Sequence, residues 1–514
     1  RNWSKERILE AYLNRIDYGN LCRGAGTAAA FYFDKPLGKL SPAEAALLSG
    51  LPNAPTRLNP HRHIVKAQER QHKILRRMAD NGWLNADQLS RALNEPIVLH
   101  KKGRPFAAAH FVDLIQQRRK VASNVRSTLD RPLNFFAQET LREQLQLLDK
   151  KNVSNGSVVI IENQTGNVLA LVGSRDYFDR QSGQVNGALA ARSAGSIFKP
   201  FTYLLALEKG WTPASMLADI PVDFPTATGV FSPVNYDRRF RGPVLLREAL
   251  ANSLNVPAVK LLDQIGGATV LHSCLRRLGL STLESSATHY GLGLTIGNSE
   301  ARLLELTNAY ATLARLGEYR PVRLLQSDPS GVERVFEPAP AWLIADILSD
   351  DSARSASFGW GSSLSFPFRV ACKTGTSSEF RDNWAIGFTP EFTVGVWVGN
   401  FDGSPMQRVS GVSGAAPVMN SLMMELHRRF GTGWFKRPED IESAVIDPIS
   451  GLKHPAGKAE WFIAGSIPPK ETTETRDMDD RLFLPQEFTM WWEGAQNHLK
   501  MRTAITESAS SLAR

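Results

Sequence analysis

Hydrophobic and polar positions keep a helical period over the first part of this chain and then switch between helical and strand-like runs. Over residues 1–100 the apolar residues fall at helical spacing, and the pattern runs out near Pro96-Ile97-Val98-Leu99. Ser41-Pro42-Ala43-Glu44 reads as a capping box with proline at the first helical position, opening an apolar helix from Ala45 to Leu51 that Pro52 ends. A basic, turn-rich connector, Lys101 to Pro105, leads into a helix-like stretch, Ala107 to Val121. Thr128-Leu129-Asp130 then precedes an amphipathic helix predicted over Leu133 to Leu148. Gly156 to Ile161 and Val168 to Val172 flank Asn163-Gln164-Thr165-Gly166-Asn167, which predicts a hairpin. Helical runs follow at Phe201 to Leu207 and Val244 to Leu250. Phe368 to Lys373 reads as a strand, and Asn383 to Phe388 with Phe392 to Val398 form a second hairpin around Thr389-Pro390-Glu391. Two early strands, intervening helices and three late strands imply one sheet with helices on both faces. Beyond residue 430 the pattern weakens. Ser466 to Asp480 is loop-rich, and Asp447 to Pro469 and Leu482 to Trp492 are expected to pack back on the main domain. No internal repeat is present.

Three short strings sit on this frame in one order: Ser196-Ile197-Phe198-Lys199, Ser253-Leu254-Asn255 and Lys373-Thr374-Gly375. A serine three residues before a lysine is weak by itself, with about two matches expected by chance in a chain of this composition. A second match, Ser450 to Lys453, falls after Lys373 and reads as a solvated turn at Gly451. Lys-Thr-Gly occurs once. Gly195 precedes Ser196 and a helix-compatible run follows Lys199, so serine and lysine are expected on one helix face near its N-terminus. An unassisted serine hydroxyl is a poor nucleophile and needs a base. Lys199 serves if burial or a second cation lowers its pKa, and Lys373 is the candidate cation. Ser253 would pass the proton to a leaving amine, and Asn255 would hold the substrate amide and orient Lys199. Lys373, Thr374 and Thr376 would bind a substrate carboxylate, with Gly375 on an edge strand admitting the substrate backbone. Backbone N–H groups of Ser196 and Thr376 would meet the oxyanion.

Charge adds a second feature. Residues 1–120 carry 21 Lys and Arg against 10 Asp and Glu, while the whole chain is +9. The basic N-terminal part fits anionic lipid heads or a pyrophosphate-bearing glycolipid, while solvated helix faces around Arg62 to Arg77 account for any single residue at least as well. Nucleic acid is not indicated, since no stacking motif accompanies the charge. The apolar content of 42% and charged content of 22% are ordinary for a globular chain, and no run of 18 apolar residues occurs. Cys22, Cys274 and Cys372 form neither a metal spacing nor a disulfide framework, and Cys372 is expected to be a buried free thiol. His61 and His63 have no acidic or cysteine partner nearby, so neither a metal nor another cofactor is expected.

The three strings with their flanks resemble a bifunctional, class A penicillin-binding protein. The flanks are Arg192 to Phe201, Arg247 to Asn255 and Lys373 to Ser377 followed by Arg381 to Phe388. That last string and Gly399-Asn400-Phe401-Asp402-Gly403 are most similar to the 1C subgroup. Lys5 to Asn14, then Gly26 to Lys35 and Leu40 to Leu48, resemble the late motifs of the preceding peptidoglycan glycosyltransferase. The resemblance implies an α/β (α+β) penicillin-recognising serine transpeptidase fold, with a central antiparallel sheet and helices on both faces. It also implies that the fold is preceded by the all-α C-terminal part of a glycosyltransferase. The partition expected is 1–100 glycosyltransferase, 101–150 connector and lead-in helix, 151–430 transpeptidase and 431–514 a tail on that domain. The family's catalytic glutamates lie upstream of these motifs, so the chain reads as an N-terminally truncated fragment with an incomplete glycosyltransferase site. Glu10 and Glu44 match structural positions.

The resemblance further implies a D,D-transpeptidase that cross-links peptidoglycan stem peptides ending in D-Ala-D-Ala through a Ser196 ester. β-Lactams would acylate the same serine. Lipid II and a membrane surface would meet the basic N-terminal part, and other cell-wall synthesis proteins are possible partners. The implied location is the periplasmic face of the bacterial inner membrane, reached through an anchor that the sequence lacks. The rival readings are a D,D-carboxypeptidase or β-lactamase on the same fold, and a penicillin-binding sensor or scaffold. A lactamase needs a glutamate that activates water. The nearby Glu248 to Asn252 string precedes Ser253, where the lactamase glutamate would follow it.

Overall fold

The computed structural model of this chain describes residues 3–20, 22–100, 107–118, 124–226, 229–472 and 483–491. It divides into two units, Arg1–Ala107 and Ala108–Arg514. The connector expected at Lys101 to Pro105 lies outside the described residues.

The first unit is helical, with α1 (Lys5–Arg15), α2 (Ala25–Phe33), α3 (Pro42–Gly50), α4 (Ile64–Asp80) and α5 (Ala86–Asn94). The capping box forms as its residue types require. Ser41 Oγ accepts from the Glu44 N–H at 3.1 Å, and Glu44 Oε2 accepts from the Ser41 N–H at 2.9 Å. Lys35 holds the other Glu44 oxygen at 2.6 Å. Tyr32, Ala28 and Ala29 of α2 pack against Leu47 of α3 and Leu51, while Ala43, Ala46 and Leu75 form a second small core. His61 lies over the Tyr32 ring, with centroids 5.6 Å apart, which gives this histidine a packing role.

The second unit opens with α6 (Ala109–Arg118) and α7 (Arg131–Leu147), the latter capped by Asp130, whose Oδ1 accepts from the Leu133 N–H at 2.8 Å. β1 (Asn155–Glu162) and β2 (Val168–Val172) follow, then α8 (Lys199–Glu208). β3 (Met216–Asp219) pairs antiparallel with β4 (Gly242–Leu245), which runs straight into α9 (Leu246–Ala251) and α10 (Asn255–Gln264). Further on come α11 (Leu303–Ala314), α12 (Pro338–Leu348), β5 (Ala371–Thr376), β6 (Asp382–Phe388), β7 (Phe392–Gly399) and α13 (Ala416–Phe430). The central sheet is antiparallel throughout, in the order β5-β6-β7-β1-β2. Successive side chains on a strand point to opposite faces. Val159 and Ile161 accordingly join Trp384, Ile386 and Trp397 in the core shared with α8 and α11. Val158 and Ile160 join Ala385, Val394 and Val396 against α7 and α13. Burial on both faces explains why these strands read as unbroken apolar runs rather than alternating ones.

Two sequence expectations are corrected, and the tail holds one element that was not expected. Val244 and Leu245, read as the start of a helix, end β4, because pairing with β3 outweighs their helical spacing. The tail contains a hairpin of β8 (Ile441–Ile446) and β9 (Lys458–Ile463) that the sequence pattern did not announce. Phe462 of that hairpin buries against Ala214 and Leu245. The Gly451 turn is packed, not solvated: a Cβ there would stand 2.0 Å from the Ala214 carbonyl oxygen. Farther on, Phe488 is buried with Ala218 and Ile220. The remainder of the stretches expected at Ser466 to Asp480 and Leu482 to Trp492, namely residues 473–480, 482 and 492, lies outside the described residues, as do residues 119–121 at the end of the helix expected over Ala107 to Val121.

Candidate active site

Ser196 sits in a 3₁₀ turn, Gly195–Phe198, and Lys199 is the first residue of α8. Gly195 adopts φ +56°, and a Cβ there would approach Thr376 O at 2.8 Å. At Gly375 a Cβ would stand 3.0 Å from Ala194 O. The two glycines let the serine turn dock on the edge strand β5. Gly375 therefore also serves packing within the chain, on the edge strand where a substrate backbone is expected to approach.

Ser253 is not helical. The N–H of Ser253 reaches Leu250 O at 3.0 Å and that of Leu254 reaches Ala249 O at 3.0 Å, which closes α9 in a Schellman motif. The residue after the cap must then be left-handed, and Ser253 has φ 58° where glycine is usual. This bend turns both the carbonyl and the hydroxyl of Ser253 toward the lysines. Lys199 Nζ donates to Ser253 O at 2.5 Å, to Asn255 Oδ1 at 2.6 Å and to Ser253 Oγ at 3.3 Å. Lys373 Nζ donates to Ser253 Oγ at 2.8 Å and to Thr374 O at 2.7 Å. Ser253 thus stands between two amines that come from different elements.

Both lysines are buried, Lys199 completely and Lys373 to 3% exposure. They lie behind the wall of a cavity of about 860 Å³ lined by Ser196, Ser253, Asn255, Thr374 and Thr376. Burial and then the neighbouring Lys373 charge push the Lys199 pKa far below the usual amine range. Burial lowers Lys373 to about 7. The Lys199 amine meets three acceptors, and among the described residues no hydrogen bond joins it to the Ser196 hydroxyl. Base action on Ser196 then requires loss of a proton from this ammonium, which burial and Lys373 favour. Thr376 Oγ1 accepts from the Gly411 N–H at 3.0 Å, and among the described residues its own O–H has no acceptor, so it can donate into the cavity. Lys373, expected as a carboxylate anchor, is turned inward to Ser253 and Thr374 O. Glu248 is not among the cavity residues.

A pH effect on stability follows. Between about pH 7 and the ordinary lysine range, unfolded Lys373 carries a proton that the folded residue has lost, so stability rises with pH by up to ~1.4 kcal/mol per unit. Urea unfolding at pH 7 and pH 9 checks this, and Lys373→Met should show the smaller rise.

Sequence reasoning missed four residues here. Asp219 is buried at the end of β3, and Asn235 lies in the loop preceding β4. Tyr236 and Phe380 stand edge to face at the cavity, with centroids 6.2 Å apart. An Asn-Tyr-Asp string in a loop carries no recognisable signal until the fold brings it to Asn255.

A family model described as penicillin binding protein transpeptidase domain matches residues 156–424, and one described as transglycosylase matches residues 1–79. The chain is 33% identical over 476 residues to penicillin-binding protein 1C of Escherichia coli (strain K12), covering 91% of this chain and 60% of that protein. It is 29% identical to penicillin-binding protein 2D of Bacillus subtilis (strain 168), over 96% of this chain and 76% of that one. The fold is shared with the crystal structure of penicillin-binding protein 1A from Haemophilus influenzae, with a TM-score of 0.73 at 22% identity, covering 91% of this chain and 93% of that one.

Proposed function

Since the chain belongs to the class A penicillin-binding proteins, whose transglycosylase part precedes a transpeptidase part, we propose that it acts as a serine D,D-transpeptidase on peptidoglycan stem peptides. The observation that carries this reading is the Lys199–Ser253–Lys373 cluster beneath a cavity lined by Ser196. Ser196 Oγ attacks the carbonyl of a terminal D-Ala-D-Ala bond as its proton passes to neutral Lys199. The C–N bond breaks, and Ser253 delivers a proton to the leaving amine while Lys373 Nζ steadies the Ser253 oxygen. Backbone N–H groups of Ser196 and Thr376 meet the oxyanion, and the Thr374 and Thr376 hydroxyls hold the substrate carboxylate. An amine from a second strand resolves the ester. A β-lactam enters the same sequence and stays attached, because its opened ring leaves no departing fragment. Asn255, which accepts from Lys199 and lines the cavity, holds both the base and the substrate amide. The basic N-terminal part faces a membrane surface and lipid II, the whole protein polymerises glycan as well, and it works on the periplasmic face of the inner membrane.

Intact-mass measurement after penicillin exposure tests this. One drug-sized adduct, mapped to the Ser196 peptide, and cross-linking or release of D-Ala from a stem peptide are the expected results. Adduct formation with no peptide turnover would identify a sensor instead. Consumption of drug without a lasting adduct would identify a β-lactamase.

A further inference from the structure

Burying a carboxylate away from water is expensive, yet Asp219 is completely buried, and its nearest cation, Arg241 Nη1, stands 3.8 Å away. Its oxygens are instead filled by amide donors. Asn235 Nδ2 donates to Asp219 Oδ1 at 2.7 Å and Oδ2 at 2.9 Å, and the Arg241 N–H donates to Oδ2 at 3.0 Å. With its nitrogen held by the carboxylate, the Asn235 amide can turn only its oxygen outward. That oxygen accepts from the Asn255 N–H at 2.8 Å and the Val256 N–H at 3.3 Å. These are the first N–H groups of α10, which have no partner within the helix, and the cap residue, Leu254, has no side chain able to accept. Asn255 Nδ2 donates to Val234 O at 2.7 Å, so the same loop grips the Asn255 side chain too. The remaining atom of that amide, Oδ1, receives Lys199 Nζ.

We propose that Asp219 and Asn235 are positioning residues of the acylation site: the buried carboxylate orients the Asn235 amide, that amide caps α10 at Asn255, and Asn255 in turn fixes the Lys199 amine. The proposal rests on the transpeptidase reading for its meaning in catalysis, but the linkage itself is a property of the fold. Each group in the series can face only one way, since acceptor meets donor at every step from Asp219 to Lys199. The charge of Asp219 also reaches Lys199. It opposes the lowering by burial and by Lys373, so removing it should lower the basicity of the amine further. The charged and titratable groups facing this pair are Lys373 across from Lys199, and Arg241, Asp237 and Tyr203 around Asp219.

The test compares the wild type with Asp219→Asn and Asn235→Ala. Lys199 is titrated directly by NMR of lysine labelled with ¹³C at Cε, its signal assigned by loss in Lys199→Met. Penicillin acylation rates are followed against pH in parallel. In Asp219→Asn the Lys199 titration should move to lower pH, and the acidic limb of acylation should move with it. In Asn235→Ala the charge remains but the cap is lost, so acylation at the plateau should slow by up to ~100-fold. A merely structural role would lower stability without moving the titration. An unmoved Lys199 titration in Asp219→Asn, or wild-type acylation by Asn235→Ala, overturns the proposal. If Asp219→Asn does not fold, the Asn235→Ala rate decides alone. Absence of any adduct in the wild type would sink the transpeptidase reading, while the Lys199 titration would still decide the linkage.

Discussion

Replacing Ser196 with alanine is expected to abolish covalent capture of β-lactams, with a loss of acylation on the order of 10⁶-fold. The magnitude follows from the chemistry: removal of a nucleophile leaves binding and oxyanion stabilisation without a bond to form. The structure also predicts that the variant folds normally. The Ser196 side chain is half-buried at the cavity wall, and among the described residues its hydroxyl holds no hydrogen bond, so alanine orphans no partner. Lys199 keeps its three acceptors and Lys373 keeps Ser253 Oγ, because neither contact involves Ser196. Stability should therefore stay within about 0.5 kcal/mol of the wild type. Intact mass with penicillin and urea denaturation together check the claim. A persistent adduct on the alanine variant would place the nucleophile elsewhere.

The second large effect is on stability. Arg247→Leu should destabilise the protein by about 3–5 kcal/mol. Arg247, on α9, is 5% exposed, and its Nε and Nη2 donate to the two oxygens of Glu460 on β9, each at 2.6 Å. Nη2 also donates to Asp346 of α12 at 2.7 Å, and Nη1 to Asp350 at 3.3 Å. These carboxylates hold the arginine pKa above its ordinary value, more than offsetting burial. Asp346 retains Arg369 at 2.8 Å when Arg247 is removed, but Glu460, only 4% exposed, is left as a buried charge without its cation. Removing both partners at once is a different case. Arg247→Leu with Glu460→Gln should recover part of the loss, because the uncompensated charge is gone. The expected result is a lower urea midpoint at unchanged slope for the single variant. A single-variant loss below about 1 kcal/mol would contradict this account of the network. Since α9 runs directly into the Ser253 turn, the single variant should also acylate more slowly.

These two predictions draw on residues that differ in how plainly the sequence displays them. Ser196, Lys199, Ser253, Asn255 and Lys373 were legible because each string carries its own spacing and the order is unusual. Ser196 and Lys199 need only one turn of chain to become neighbours. The two hairpins around Asn163–Asn167 and Thr389–Glu391 were legible because turn residues and β-branched runs act locally. Arg247 was visible only as part of a flanking string, and its partner Glu460 not at all. Those residues are 213 positions apart, and the strand that brings Glu460 in had no distinctive pattern. Val244 and Leu245 were misread for the same reason: helical spacing is a local signal, and β3 is a distant partner.

The order and spacing of residues marked the candidate reactive groups, the sheet's strands and the periodic faces that bury them. Local spacing and alternation are enough for that, because they arise from the geometry of one helix turn or one strand. The electrostatic setting and aim of those groups came from the packing of distant segments against one another. It placed the lysines behind the cavity wall, where loss of water lowers both amines. It turned Ser253 into a left-handed position between them, made Gly375 a packing contact, and set Asp219 and Asn235 behind Asn255. Electric fields and desolvation depend on distance in space and on what excludes water, and neither is a function of separation along the chain.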